Sequence, residues 1–435
     1  MKDRLVREIC AAFGPVSIRD VAEAFAAELD LALRREPSSL KILPSYLSAP
    51  DGQEQGKYIA VDFGGTNIRV MAVHLLGRGS FEVASPISYP LADEKRGYDF
   101  SRESSTGQDL FDFVAALVDE VASPGETCAL GLTFSYPMHQ EAADKAVLLE
   151  WTKEIKTSAT IGRDIKKLLT DALQRRQLDY IIPAAIINDT VAVLMAGAYS
   201  ETAVFAGSIC GTGHNSCYVE SSLKTARGLP MVVNTEAGNF SASANNVYDK
   251  LLDNRSLDPG RQLLEKKVSG KYMGELFRLV LVELTERGLL QSSHQAETWM
   301  YQPYSIGAEV LNWLRAGTAM PESVINNWLS RHGFLPGRER ELAMMRSVAE
   351  AIISRAQHLI AASFIALSRQ AVRTGKQQAV AVDGSVFLKM PGFLSGIEKL
   401  ISQNRQDLPK VVLLPVSNGS IVGAALAAAQ AKERI

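Results

Sequence analysis

The stretch Ile59-Ala-Val-Asp-Phe-Gly-Gly-Thr-Asn-Ile-Arg-Val70 constrains this chain more than any other part of it. An apolar run of strand type ends at Asp62, a Gly-Gly-Thr-Asn turn follows, and a second apolar run begins at Val70. Glycines let a backbone turn tightly and let its N–H groups approach an anion closely. A carboxylate just before such a turn suits a magnesium ion, which takes a few carboxylates together with waters and phosphate oxygens. Two readings fit: a β-hairpin closed by a glycine turn, or a strand–turn–strand cradle for polyphosphate. The chain has no G-x-x-x-x-G-K-[ST], and this turn lacks the G-x-G-x-x-G order.

The chain's 435 residues suggest two or more lobes with well-filled cores. A formal net charge of −2 leaves no basic surplus for nucleic acid or an anionic membrane. Cys10, Cys128, Cys210 and Cys217 lie too far apart for a zinc knuckle and are too sparse for a disulfide scaffold, so a reducing compartment is expected. The start, with Lys2, Asp3, Arg4, Arg7 and Glu8, does not read as a signal peptide. No uninterrupted apolar run approaches a membrane span. A cytoplasmic enzyme is the expectation.

Strand-like runs fall at 58–63, 68–76, 128–134, 184–187, 204–210, 216–220, 379–383 and 411–415. Helical patterns lie at 17–35, with Ser17 as N-cap, and at 107–122, 162–176, 190–199, 260–289, 307–315, 340–373 and 421–432. Strands alternating with long helices predict an α/β protein.

Further glycine turns stand at Gly211-Thr-Gly-His-Asn215, at Asp383-Gly-Ser385 and at Ser417-Asn-Gly-Ser420. The first repeats the strand–turn–strand logic of Asp62–Asn67. Either glycine turns simply follow strands, or these loops converge on one nucleotide at strand ends. Asn188 and Asp189 lie between an apolar strand and a helix. Either of them can cap that helix, and a carboxylate there also stands where a general base would. Ser135 follows an apolar strand and precedes Tyr136-Pro137, and Trp151-Thr-Lys153 offers an indole, a hydroxyl and a cation in sequence. Glu236 and Glu265 add carboxylates. Hydroxyls, amides and carboxylates are what a polyol binder requires, because each buried sugar hydroxyl needs a partner. Surface decoration is the competing reading for any one of them.

From about residue 40 to its end the chain resembles the eukaryotic-type hexokinase/glucokinase family. The resemblance is carried by Lys41-Ile-Leu-Pro-Ser-Tyr46, Asp62-Phe-Gly-Gly-Thr-Asn-Ile-Arg69, Leu132-Thr-Phe-Ser-Tyr-Pro-Met-His-Gln140, Trp151-Thr-Lys153, Ile187-Asn-Asp-Thr-Val191, Gly211-Thr-Gly-His-Asn215, Ser256-Leu-Asp-Pro-Gly-Arg-Gln-Leu-Leu-Glu-Lys266 and Val382-Asp-Gly-Ser-Val386, in that order. It implies the two-lobed actin-like ATPase (ribonuclease H-like) α/β fold with a cleft between a small domain (57–190 plus 418–435) and a large one (1–56 plus 191–417). It implies an ATP-dependent enzyme that phosphorylates the 6-hydroxyl of glucose and related hexoses. Its substrates would be hexose and MgATP, with Mg2+ as cofactor and neither nucleic acid nor membrane as partner; a monomer or homodimer is expected.

By the same resemblance the sugar contacts fall on Ser135, Pro137, Thr152, Lys153, Asn188, Asp189, Asn215, Glu236 and Glu265. The ATP positions fall on Asp62, Gly64, Gly65, Thr66, Asn67, Thr212, Gly213, Gly384, Ser385, Ser417 and Gly419. Asp189 is the implied base, Lys153 and Arg69 offset developing charge, and Asp62 and Asp189 face magnesium, through water. Tyr136 stands where the family usually has Phe, Ala237 where Trp is common, and Asn418-Gly-Ser-Ile-Val-Gly423 where Asp and a later Lys are typical. The segment 292–305 matches poorly beyond Glu297-Thr298. Two other classes remain open at this point: a sugar sensor of weak activity, and a nucleotide switch on the same fold.

Overall fold

The structure, a computed structural model, describes residues 2–432 apart from 15, 85, 153–154, 202, 292–298, 317–321, 335–338, 372–376 and 406–407. Two six-stranded sheets organise the described chain. In the first, the order is Ile181–Ile187, Cys128–Phe134, Gln55–Phe63, Asn67–Gly77 and Ser80–Val83, with Ile87–Pro90 also pairing with Asn67–Gly77. The first three strands run parallel, and Gln55–Phe63 turns back antiparallel into Asn67–Gly77 through the glycine turn. In the second sheet the order is Leu43–Pro44, Pro230–Asn234, His214–Lys224, Val204–Cys210, Gln377–Asp383 and Lys410–Pro415. Here Val204–Cys210 turns back antiparallel into His214–Lys224 through the second glycine turn, while its other edge pairs parallel with Gln377–Asp383. The hairpin reading of the first turn therefore holds: each sheet carries a hairpin whose tip is a glycine loop.

Two helices fill the space between the sheets. Asp189–Ser200 packs on the second sheet and Gly419–Lys432 on the first, and the two pack on each other. Their surfaces differ from those of an amphipathic helix: from Thr190 to Tyr199 every residue is buried. A helix that is apolar all round belongs in a core, and here both faces are covered. The approach is close because the contact residues are small. A Cβ on Gly423 would stand 2.1 Å from the Ala192 carbonyl oxygen, and one on Gly131 would stand 1.9 Å from that of Ala424.

The outer face of the first sheet is covered by the helices Gly107–Asp119 and Ile165–Arg175 around Phe111, Val114, Leu132 and Leu169. Behind the second sheet lies a helical body centred on Glu339–Gln370. That helix is long and apolar enough to cross a bilayer by length and composition, but most of its apolar stretch is buried in this body.

The helical pattern over 260–289 resolves into two helices, Glu265–Val268 and Gly270–Glu286. Ser269 takes an extended conformation at the break, and the Gly270 N–H donates to the Gly211 carbonyl at 2.7 Å. A contact with the second glycine loop thus interrupts a run that local propensity would continue. Strands such as Ser80–Val83, Met138–Ala142 and Lys145–Leu148 lie outside the sequence expectations; they are short and largely half-exposed, so little apolar alternation marks them.

Candidate active site

The register brings the predicted residues to two facing edges. Along the first sheet Asp62 pairs with Thr133, and Ile187 pairs with that same residue, so Asp62, Ser135 and Asn188-Asp189 line one edge. Along the second sheet Ile209 pairs with both Asn215 and Asp383, so the Gly211–Gly213 loop, Asn215 and Asp383-Gly384 line the other. The edges are in electrostatic contact. Asp383 is half-buried, and its carboxyl is held above the usual range by burial and by the negative charge of Asp189, against the opposing pull of Arg69. The Cys217 thiol bonds the Thr190 carbonyl at 3.0 Å, which ties the start of the Asp189 helix to the second sheet; burial pushes that thiol up to about 12.

In the first loop the Gly64 N–H donates to the Asn67 carbonyl at 3.1 Å, which closes the turn, and Thr66 and Asn67 are exposed at its tip. Asp62 is buried beneath it and takes a hydrogen bond from Arg69 Nε at 3.0 Å, with a second from the same guanidinium. The hairpin register sets this ion pair, since Asp62 and Arg69 are cross-strand partners. In the second loop the Gly211 N–H donates to Gly213, and Thr212 is exposed. Gly384 has φ +106 and stands so close to Cys210 that a Cβ would lie 2.5 Å from the Cys210 carbonyl oxygen. This approach sets Ser385, at the start of a short helix, beside Gly211. Ser417 is exposed, whereas Gly419 is buried against Val193, where a Cβ would have only 3.0 Å.

The polyol-type residues form local hydrogen-bonded groups on the two edges. Asn188 is the N-cap, its Oδ1 accepting from the Thr190 N–H at 2.9 Å and from the Thr190 hydroxyl at 2.6 Å. The capping role thus goes to Asn188. Asp189, half-buried in the first turn, accepts from the Thr190 N–H at 2.8 Å, where the helix dipole favours its charge. Across the cleft Asn215 Nδ2 donates to Asn234 Oδ1 at 3.0 Å, and Asn234 Nδ2 donates to Glu236 Oε1 at 2.7 Å. Glu236 sits at φ 49, a left-handed conformation that β-structure cannot use, just where its strand ends. Glu265 accepts from the His214 N–H at 2.8 Å, and Gly213 leaves room for it. Ser135 is half-buried, its N–H donating to the Phe63 carbonyl at 3.4 Å; Pro137 and Thr152 are half-buried on the same lobe. Lys153 lies outside the described residues.

The sequence reading missed Asp383, Asn234 and His214 as members of this site. Asp383 could have been found by analogy, since it precedes its glycine turn as Asp62 precedes the first. Asn234 carried no such signal: only the hairpin register puts it beside Asn215. Asp189 and Asp383 share one stretch of cleft, where, among the described residues, Arg69 draws on Asp383 while already paired with Asp62. That excess of negative charge fits a divalent cation arriving with polyphosphate.

Two matches to hexokinase family models divide the chain between them, over residues 6–199 and 205–430. Hexokinase-1 of Oryza sativa subsp. japonica is 32% identical, the alignment covering 99% of this chain and 90% of that protein. Hexokinase-1 of Saccharomyces cerevisiae is 31% identical over 96% of this chain and 90% of that one. The solved hexokinase of Schistosoma mansoni, complexed with glucose, superposes with a TM-score of 0.82 at 28% identity, over 99% of this chain and all of that one. The two-sheet architecture is therefore the actin-like ATPase fold, and the chain belongs to the hexokinase family, enzymes that transfer a phosphoryl group from ATP to a hexose.

Proposed function

We propose that this enzyme phosphorylates the 6-hydroxyl of glucose, and of related hexoses such as mannose or fructose, with Asp189 as general base. The observation that carries the reading is the position of Asp189: half-buried, at a helix N-terminus, on the edge that faces Asp383 and the second glycine loop. Asn188, Asn215, Glu236, Glu265 and Thr152 would hold the sugar hydroxyls. Their own hydrogen bonds fix several of them before any sugar arrives, which lowers the ordering cost of binding. Asp189 would accept the proton of the 6-hydroxyl as that oxygen attacks the γ-phosphate. Phosphoryl transfer rests mainly on positioning and charge stabilisation. Arg69, the loop N–H groups and, by family resemblance, Lys153 would offset the developing charge. A divalent ion, expected to be magnesium, would neutralise phosphate charge, with Asp62 and Asp189 facing it through water. Sugar binding would draw the lobes together and exclude water as a competing nucleophile. The reading places the enzyme in the cytoplasm as a monomer or homodimer, which fractionation and sedimentation test.

The deciding experiment replaces Asp189 with Ala. A base contributes about 10²–10⁴ in rate, and the nucleophile loses its positioning as well. Turnover in a coupled hexose 6-phosphate assay should fall by at least that factor, while glucose still binds in calorimetry, more weakly. Turnover within tenfold of wild type would remove Asp189 from the role. A panel of hexoses assayed on the wild type settles the substrate range.

A further inference from the structure

Tyr136 lies between the two halves of this chemistry. Its backbone belongs to the sugar-binding segment that follows Cys128–Phe134, and its hydroxyl donates to the Gly64 carbonyl in the first glycine loop at 2.8 Å. The side chain is 3% exposed. Its ring meets Trp151 edge-on at 4.8 Å between centroids, packs against Phe134 at 5.0 Å and stands edge-on to Phe63 at 5.8 Å. Trp151 directly precedes Thr152, and its indole N–H is held by the Thr157 carbonyl and the Thr160 hydroxyl. The phenol is therefore fixed by packing on one side and spends its donor on the other.

The bond has a geometric consequence. A trans peptide is planar, with its C=O and the following N–H pointing in opposite directions. Holding the Gly64 carbonyl toward the buried phenol turns the Gly65 N–H away from it, toward the exposed tip at Thr66 and Asn67. Glycine peptides are the least restrained by their own side chains, so this turn gains more from an external hold than another sequence would. The Gly64 N–H is already taken by Asn67. Among the described residues nothing accepts from the N–H groups of Gly65 and Thr66, which leaves them for a ligand. We propose that Tyr136 is a positioning residue for the nucleotide: its hydroxyl sets the Gly64–Gly65 peptide so that the Gly65 N–H meets a phosphate oxygen of ATP. A phenylalanine at this position packs equally well and cannot do this.

The inference rests on the first glycine loop facing ATP, as proposed above, and its test separates the two. Tyr136→Phe keeps the ring and its packing and removes the hydroxyl. With saturating glucose, the Kd of the magnesium complex of a non-hydrolysable ATP analogue should rise about three- to tenfold, the size of one hydrogen bond. KM for MgATP should follow. Glucose affinity without nucleotide should stay within about twofold, because the sugar-side packing is intact. Amide exchange should quicken over residues 63–68 and remain unchanged in the flanking strands. Analogue affinity within twofold of wild type, or equal weakening of glucose and nucleotide, would overturn the proposal; the second outcome means a general packing role. If the variant melts early, the exchange pattern decides: protection lost evenly across the sheet also overturns it. A wild type that binds the analogue but phosphorylates no hexose would sink the proposed function and leave the Tyr136 comparison intact.

Discussion

His214, inside the second glycine motif, couples the stability of this region to pH. It is 3% exposed, and its Nδ1 lies 3.0 Å from the Ile209 carbonyl, which fixes the proton on that nitrogen. Nε2 is buried without a partner among the described residues. Burial lowers the imidazole to about 4, with the bond that Nδ1–H donates to the Ile209 carbonyl opposing the shift. Because the folded value lies below the unfolded one near 6.5, the unfolded chain binds the proton first. The associated stability is complete above about pH 6.5 and is lost as the pH falls toward 4. His214→Leu should lack this acid component. Between about pH 7 and about pH 5, denaturant unfolding should show the wild type losing about 2 kcal/mol relative to the variant. Parallel stability curves would contradict a neutral, buried His214.

At the scale of elements, the contact between the helices Asp189–Ser200 and Gly419–Lys432 joins the lobes, and its closeness is set by missing side chains. Glycine within a helix normally costs about 1 kcal/mol relative to alanine, so Gly423→Ala on a free helix would stabilise. Here the added Cβ would lie 2.1 Å from the Ala192 carbonyl oxygen and 2.4 Å from its Cα. Backbone cannot yield as a long side chain can, and overpacking of this kind costs about 1–3 kcal/mol or more. The clash should therefore reverse the sign expected from propensity. Urea titration of Gly423→Ala should show a lower midpoint than wild type; a higher midpoint would mean that these helices are not held at this distance in solution.

For the whole molecule the question is what holds the lobes in relation to each other around a sugar. An exposed ion pair crosses between the segment before Trp151-Thr152 and the helical lobe: Arg261 Nη2 donates to Glu150 Oε1 at 3.2 Å. Both side chains are about half exposed, so the pair contributes at most about 1 kcal/mol and is screened by salt. Arg261→Glu turns the attraction into repulsion at the cleft mouth. If closure accompanies sugar binding, glucose KM should rise about two- to fivefold at low ionic strength and return to within about twofold of wild type near 1 M salt. Solution scattering should show a smaller radius of gyration for the wild type with glucose, and a weaker contraction for the variant at low salt. A KM that does not depend on salt would separate this pair from closure.

Local sequence determined the parts. Apolar runs ending in Asp-x-Gly-Gly or Gly-Thr-Gly specified strands with glycine loops, because few residues but glycine tolerate such turns and such close approach. The buried strands and long helices were legible for the same reason: their side chains repeat with the period of the element. The Ser17 cap was legible too, and the structure has its hydroxyl accepting from the Asp20 N–H at 3.3 Å. Tertiary structure decided whatever depends on partners distant in the chain. The helix expected through Ser269 is broken there by a bond to Gly211, 59 positions earlier, which no local propensity encodes. Asn234 joins Asn215 through strand register, and Asp383 meets Asp189 and Arg69 only because two sheet edges face each other. The choice between Asn188 and Asp189 as cap was local in range yet open in sequence, since both residue types fill that position equally well. Backbone geometry resolved it: Asn188 is extended and Asp189 already helical.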